Sequence, residues 1–148
     1  MDWRWFRFAD LGVDNLHDGL QLRSRVFILE QGPYLDVDGN DRASWHLLGR
    51  DEAGVLQAYL RVVDPGLKYD EPSIGRVVTA PEVRGAGLGR VLMREGLAGC
   101  ARHWPGRGIR ISAQARLQRF YTELGFSTVG DEYLEDEIPH IEMLWRPA

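Results

Sequence analysis

Seven residues in the middle of the chain have the composition of a phosphate-binding turn. They are Arg84-Gly85-Ala86-Gly87-Leu88-Gly89-Arg90. Glycines let a backbone curl so that several N–H groups point the same way, and the start of a following helix adds the positive end of its dipole. The segment therefore predicts a cradle for a pyrophosphate.

Two common phosphate loops do not fit this segment. A Walker loop ends in Gly-Lys-Ser/Thr, whereas the chain has Gly89-Arg90-Val91. A dinucleotide fingerprint that starts at Gly85 needs a third glycine where Arg90 stands. Both alternatives are excluded by spacing.

The pattern that does fit is Arg-x-x-Gly-x-Gly, formed by Arg84, Gly87 and Gly89 after the predicted strand Val77-Val78-Thr79. With Phe120-Tyr121 and Leu124-Gly125-Phe126 downstream, it resembles the acetyl-CoA signature of the GNAT superfamily of N-acetyltransferases. Further segments, spread over nearly the whole chain, resemble its ElaA-like subgroup: Leu22-Arg23, Val26-Phe27, Glu30-Gln31, Pro33-Tyr34, Asp38-Gly39, Asp41, His46, Ala113-Gln114, Leu117, Glu135-Asp136, Ile138-Pro139-His140 and Met143. Two positions depart from the subgroup, Gly32 in place of a frequent cysteine and Glu137 in place of a usual glycine.

The resemblance implies which residues meet acetyl-CoA, the expected cosubstrate. In the GNAT fold the pantetheine lies between two splayed strands, and the resemblance implies that Tyr121 protonates the departing sulfur. The implied cofactor-binding set is Val77, Val78, Thr79, Arg84, Gly85, Ala86, Gly87, Leu88, Gly89, Arg90, Gln114 and Tyr121.

Acetyl transfer to an alkylamine also needs a base. An amine with a pKa of ~10.4 is only about a thousandth neutral at physiological pH, a deficit of about 4 kcal/mol. The candidate bases are Glu30, His46 and His140, each on a segment that the resemblance singles out. A histidine on a strand is more often a hydrogen-bonded structural residue than a base, so the choice among them, or a water relay, stays open.

An acidic stretch before the last strand suggests the charge of the acceptor. Glu135, Asp136 and Glu137 precede Ile138-Pro139-His140, a connection that borders the acceptor side in the GNAT fold. Carboxylates there attract a cation. We therefore expect a cationic amine acceptor, either a small molecule or a protein lysine, with a merely solvated acidic loop as the alternative.

Metal and cysteine chemistry are not expected. Asp36-x-Asp38-x-Asn40 begins like a calcium loop, but Asp41 stands where that loop needs glycine and Leu47 where it needs glutamate. Cys100, the single cysteine, lies on a predicted helix and is interpreted as a packing residue rather than an acetylated intermediate.

Composition sets the class of protein. With 148 residues, of which 44% are hydrophobic, the chain predicts one domain over residues 1–148. Its net charge of −4 argues against a nucleic-acid partner. No apolar run approaches the ~20 residues of a membrane helix, and no secretory leader is apparent. We expect a cytoplasmic protein without a membrane partner, and leave open whether it is a monomer or a homodimer.

Hydrophobic periodicity predicts an α/β (α+β) order of β-α-β-β-β-α-β-α-β-β. The expected strands are 3–8, 45–50, 55–63, 74–79, 109–112, 126–129 and 140–145, and the expected helices are 15–30, 87–103 and 115–124. Together with the resemblance, this predicts the GNAT fold, a mixed and mostly antiparallel sheet with a splayed central pair and helices on both faces. The expected function is an acetyl-CoA-dependent N-acetyltransferase. The alternatives are a non-catalytic acetyl-CoA-binding module and an adaptor without a ligand.

Overall fold

An eight-stranded, mostly antiparallel sheet forms the body of the protein in the computed structural model, which describes residues 1–147. The strands are β1 (Asp2–Arg7), β2 (Ser44–Arg50), β3 (Leu56–Val63), β4 (Ser73–Thr79), β5 (Ile109–Gln114), β6 (Phe126–Thr128), β7 (Tyr133–Glu135) and β8 (Ile138–Trp145). The helices are α1 (Gly12–Arg23), α2 (Leu88–His103) and α3 (Gln118–Glu123). The strand order is β1-β2-β3-β4-β5-β8-β6, with β7 paired to β8.

Helices cover both faces of this sheet, because its central strands alternate apolar side chains to both sides. On β3, Ala58, Leu60 and Val62 pack with α2 in one cluster of buried residues. Tyr59 points the other way, into a second cluster that α1 supplies with Leu22. The expected mixed fold with helices on both faces is confirmed.

The pair β4 and β5 gives the sheet its cleft. They are its one parallel pair within residues 1–147, and their register contains a single pairing, Ser73 with Arg110. Beyond that point the strands diverge. On its other edge β4 carries a bulge against β3, where the register shifts and Arg76 has a φ of 51°. The splayed central pair is confirmed.

Several element boundaries differ from the sequence-based expectation. Helix α1 begins at Gly12, three residues before the expected start, and continues as a π-helical turn over Ser24–Ile28. The acidic stretch, expected to be a loop, contains β7. This strand forms through its pairing with β8 across a two-residue turn, a hairpin that the propensities of its three residues do not reveal.

A buried ion-pair network fixes the segment between α1 and β2. Arg23 Nε lies 3.0 Å from Asp36 Oδ2, and Asp41 Oδ1 accepts from both Arg23 Nη1 at 2.8 Å and Arg61 Nη1 at 3.0 Å. Burial opposes ionisation of Asp41, but the two guanidinium groups outweigh it and lower the pKa of this carboxyl. The network anchors residues 29–43 beside the cleft.

Across residues 1–147, each helix is either too short or too polar to traverse a bilayer.

Candidate active site

The turn between β4 and α2 is a cradle of unpaired backbone amides. Gly85 and Gly87 have φ values of 87° and 80°, a conformation that other residues adopt only with strain. Within residues 1–147 the N–H groups of residues 85–90 donate to no acceptor. Free amides at the start of a helix bind anions. The residues present therefore fit a pyrophosphate group.

Two arginines flank this cradle, each paired with a carboxylate. Arg84 Nη2 lies 2.6 Å from Glu30 Oε1, and Arg90 pairs with Glu123 while its guanidinium lies 5.5 Å from the centre of the Phe120 ring. Both ion pairs are partly exposed to solvent. A bound phosphate would compete with these carboxylates for the guanidinium groups.

From the cradle a cleft runs between the diverging strands β4 and β5. Ala58 and Tyr59 of β3 pair with Thr79 and Val78, which leaves the opposite edge of β4 facing the cleft. Such an unpaired edge binds an extended chain as an added strand would. Across the cleft, Gln114 Nε2 donates to Gln31 Oε1 at 2.9 Å.

Tyr121 stands where the two halves of the cleft meet. It lines both the half that contains the cradle and the half that extends toward β7 and β8. Its ring is held edge-on by Phe120 and Phe126, with centroids 5.0 and 5.8 Å away. Burial raises the pKa of the hydroxyl to about 12, with Arg116 opposing the shift. The group therefore stays protonated at neutral pH and can donate a proton or hydrogen bond.

The second half of the cleft contains a histidine and a carboxylate. His140 stands directly opposite Gln114 in the pairing of β5 with β8. Its Nδ1 donates to the carbonyl oxygen of Ile138 at 2.7 Å, and its Nε2 lies 3.4 Å from Glu135 Oε2. Nδ1 is therefore the ring nitrogen that carries a proton toward Ile138, and Nε2 is the ring nitrogen that faces Glu135.

The rim of this half is the turn between β7 and β8. Asp136 and Glu137 form it with φ values of 51° and 64°, as a two-residue turn of the type I′ class requires. Glu135 and Asp136 line the cleft, whereas Glu137 does not. The site thus joins an anion cradle to an acidic pocket, with a tyrosine hydroxyl between them.

Known proteins resemble this chain in sequence and in fold. A family model described as an acetyltransferase (GNAT) domain matches residues 46–147. A UPF0039 protein of Synechocystis sp. is 45% identical over 99% of this chain and 96% of its own length, and the protein ElaA of Escherichia coli is 40% identical over 97% and 95%.

The chain belongs to the GNAT acetyltransferase family. Among solved structures, an acyl-CoA N-acyltransferase from Pseudomonas aeruginosa superposes on this GNAT domain with a TM-score of 0.92, 44% identity and coverage of 97% and 98% of the two chains. The crystal structure of Escherichia coli ElaA gives a TM-score of 0.91 with 38% identity, over 98% and 99%. Both the family and its ElaA-like subgroup, expected from the residues, are confirmed.

The GNAT fold brings most of the expected site residues into one cleft. The half that contains the cradle is lined by Val77, Val78, Thr79, Arg84, Gly85, Gly87, Leu88, Gly89, Arg90 and Gln114. Ala86 is exposed on the same turn. Glu135, Asp136 and His140 line the other half.

Two of the expected bases lie outside the acceptor half of the cleft. His46 is buried outside the cleft, where its Nδ1 accepts from the Tyr59 hydroxyl at 2.7 Å and its Nε2 donates to the Asp41 carbonyl at 2.8 Å. Both ring nitrogens are occupied, and burial lowers its pKa, so the interpretation of His46 as a base is corrected to a structural role. Glu30 lies on the cradle side, paired with Arg84, and not beside the acceptor pocket.

The sequence did not indicate three residues that line the acceptor half of the cleft. Ser112 hydrogen-bonds to Tyr133, and Lys68 and Tyr34 line the pocket. The alternation of β5 could have placed Ser112 on the face of Gln114, but nothing local indicates where the loops of Lys68 and Tyr34 come to lie.

The carboxylates that resembled a calcium loop are engaged by arginines. Asp36 pairs with Arg23 and Arg76, and Asp38 with Arg61 and Arg76. In the part of the chain that the structure describes, no three His, Cys, Asp or Glu side chains are grouped as a metal site.

Proposed function

We propose that the protein transfers the acetyl group of acetyl-CoA to a cationic primary amine by direct attack. The observation that carries this proposal is a row of adjoining cavities with lining residues in common, which lead from the amide cradle of residues 85–90, past Tyr121, to the carboxylates of Glu135 and Asp136. Membership of an acetyltransferase family supports acyl transfer to an amine.

Each half of the cleft has a separate task in this proposal. The cradle amides and the free edge of β4 hold the pyrophosphate and pantetheine, so that the thioester lies near Tyr121. Glu135 and Asp136 attract the cationic amine. His140 Nε2, alone or through a water molecule, accepts the proton that the amine must lose before it attacks.

Tyr121 acts on the leaving group. The developing charge on the coenzyme A sulfur accepts a hydrogen bond from the tyrosine hydroxyl, which remains protonated because burial raises its pKa to about 12. Because Phe120 and Phe126 hold the Tyr121 ring, the donor oxygen is held in position and needs little reorganisation at the moment of reaction.

We also propose that the reaction takes place in the cytoplasm. Cys100, the single cysteine of the sequence, is a buried free thiol, which is compatible with a reducing compartment.

The charge of the acceptor is tested with the variant Glu135→Gln/Asp136→Asn and a panel of cationic, neutral and anionic amines. Coenzyme A release should be fastest with cationic amines, and the double variant should raise their KM on the order of tenfold, since two partly exposed charge contacts are each worth up to ~1 kcal/mol. The KM for acetyl-CoA should stay unchanged.

The matched control is Glu137→Gln, which removes a carboxylate from the same turn but not from the cleft lining. It should leave both KM values unchanged. A preference for neutral or anionic amines, or equal effects of the two variants, would contradict the cationic acceptor.

A further inference from the structure

Lys68 is the only lysine of the sequence. Every other basic residue among the 18 lysines and arginines is an arginine, whose guanidinium does not lose its proton in proteins and so is no acetyl acceptor. Lys68 Nζ is therefore the one side-chain amine that could receive an acetyl group, and a free amino group on Met1 would be a second acceptor. Met1 precedes β1, the strand at one edge of the sheet and far in strand order from β4 and β5.

Lys68, by contrast, lines the acceptor half of the cleft. It lies in the connection between β3 and β4, and its side chain borders the same pocket as Tyr121, Glu135 and His140. Its Nζ lies 5.8 Å from the centre of the Tyr69 ring. None of the carboxylates described in residues 1–147 forms an ion pair with it, so no such contact has to break before it reacts.

The surroundings of Lys68 favour its neutral form. Although part of the side chain is exposed to solvent, desolvation by the neighbouring protein lowers its pKa, and the charges of Arg61 and Arg76 act in the same direction. Glu135 opposes the shift. The neutral fraction at pH 7.5 is therefore larger than that of a lysine in water, and only the neutral amine is a nucleophile.

We propose that Lys68 is an internal acceptor, acetylated on Nζ within the cleft of its own chain. This inference rests on the proposed function. The Nζ lone pair attacks the thioester carbonyl carbon of acetyl-CoA, so a C–N bond forms and the C–S bond breaks. The amine proton goes to His140 or water, and coenzyme A leaves as a thiolate that takes up a proton. Nothing is oxidised or reduced, and the product is N-acetyl-lysine.

Acetylation would change the charge of the acceptor pocket. Arg76 also lines it, but its guanidinium is paired with Asp36 and Asp38. Lys68 is thus the cation in the described pocket lining that lacks a carboxylate partner. Its conversion to a neutral amide removes the positive charge that offsets the carboxylates of Glu135 and Asp136. The acetylated enzyme should bind cationic acceptors more tightly, with a KM several-fold lower.

The test incubates the full chain with acetyl-CoA and no acceptor, then measures intact mass and maps the modified peptide. Wild type should gain one acetyl group on Lys68, at a rate constant that does not depend on protein concentration. Lys68→Arg should lack it. Two controls measure uncatalysed acetylation of the same lysine, namely wild type unfolded in urea and the folded variant Gly89→Val, which keeps Lys68 but blocks the cradle. Both should react at least tenfold more slowly.

Equal rates in wild type and either control, or label confined to Met1, would overturn the inference. A parallel reaction of wild type with an external cationic amine separates this failure from that of the proposed function. If the external amine is acetylated and Lys68 is not, self-acetylation alone is wrong. If neither is acetylated, both proposals are wrong.

Discussion

Replacing Tyr121 by phenylalanine removes one oxygen atom and leaves the ring in its packing. The edge-on contacts with Phe120 and Phe126 involve the ring and not the hydroxyl, which has no hydrogen-bond partner within residues 1–147. The free energy of unfolding should therefore change by less than ~0.5 kcal/mol. A change in turnover can then be assigned to the hydroxyl itself.

The size of the effect follows from the pKa of this group. Loss of a general acid usually costs about 10²- to 10⁴-fold. A hydroxyl whose pKa is raised to about 12 transfers its proton to a thiolate with a pKa of ~8.5 only at a cost of about 5 kcal/mol. It acts mainly as a hydrogen-bond donor to the departing sulfur. We therefore expect the low end, a loss of about 10²-fold in kcat, equivalent to ~2.7 kcal/mol.

The assay is coenzyme A release at saturating acetyl-CoA and acceptor, with calorimetry for acetyl-CoA affinity, which should stay unchanged. Tyr69→Phe removes a tyrosine hydroxyl outside the described cleft lining and should keep full kcat. The raised pKa also predicts that deprotonation of Tyr121 causes no fall in kcat between pH 7 and 10. Full turnover in Tyr121→Phe, where single-turnover kinetics show that chemistry is rate-limiting, would refute the role of the hydroxyl.

Three further variants test other parts of the structure. Glu30→Gln frees Arg84 for a phosphate and should tighten acetyl-CoA binding up to about fivefold, most at low salt, as titration calorimetry can show. Asp41→Asn removes the carboxylate that two buried arginines share, and should lower the free energy of unfolding by about 3–5 kcal/mol in urea titrations. Because the folded state depresses the pKa of Asp41, wild type should have the stabilisation from Asp41 above pH ~4 and lose it as the pH falls further. Glu137→Gly relieves a positive φ of 64° and should raise the melting temperature by a few degrees, a gain of up to ~1 kcal/mol.

The sequence predicted the cradle half of the cleft better than the acceptor half. The cradle of residues 84–90 is local, since glycine spacing and a following helix determine it, and it lies where the pattern placed it. The splayed strands followed from the resemblance. The pocket depends on the β7–β8 hairpin and on loops from elsewhere in the chain, such as the one that carries Lys68. Period analysis cannot find a strand of only three residues such as β7.

The base candidates show the same limit. His46 and His140 both lie on strands, and their sequence neighbourhoods do not distinguish them. The difference arises from side chains on the neighbouring strands, Tyr59 of β3 for His46 and Glu135 of β7 for His140. Lys68 gave no local signal because its place at the pocket is set by the connection between β3 and β4.

Gly89→Val tests the cradle more cleanly than Gly87→Val. Gly87 has a φ of 80°, so a valine there would strain the backbone by ~1–2 kcal/mol and confuse folding with binding. Gly89 lies within α2, and an added Cβ would meet the Phe120 ring at an ordinary 3.7 Å. Gly89→Val should therefore fold and still obstruct the approach of a phosphate to the amides.

The most direct test of the central claim is one reaction of wild type with acetyl-CoA and a cationic primary amine, in which coenzyme A and the acetylated amine are both measured. We expect the two products to appear in equal amounts, and Gly89→Val to form neither above the uncatalysed rate. Tight binding of acetyl-CoA by calorimetry, with no acetylated amine formed from any member of the panel, would contradict it and leave a binding module without catalysis.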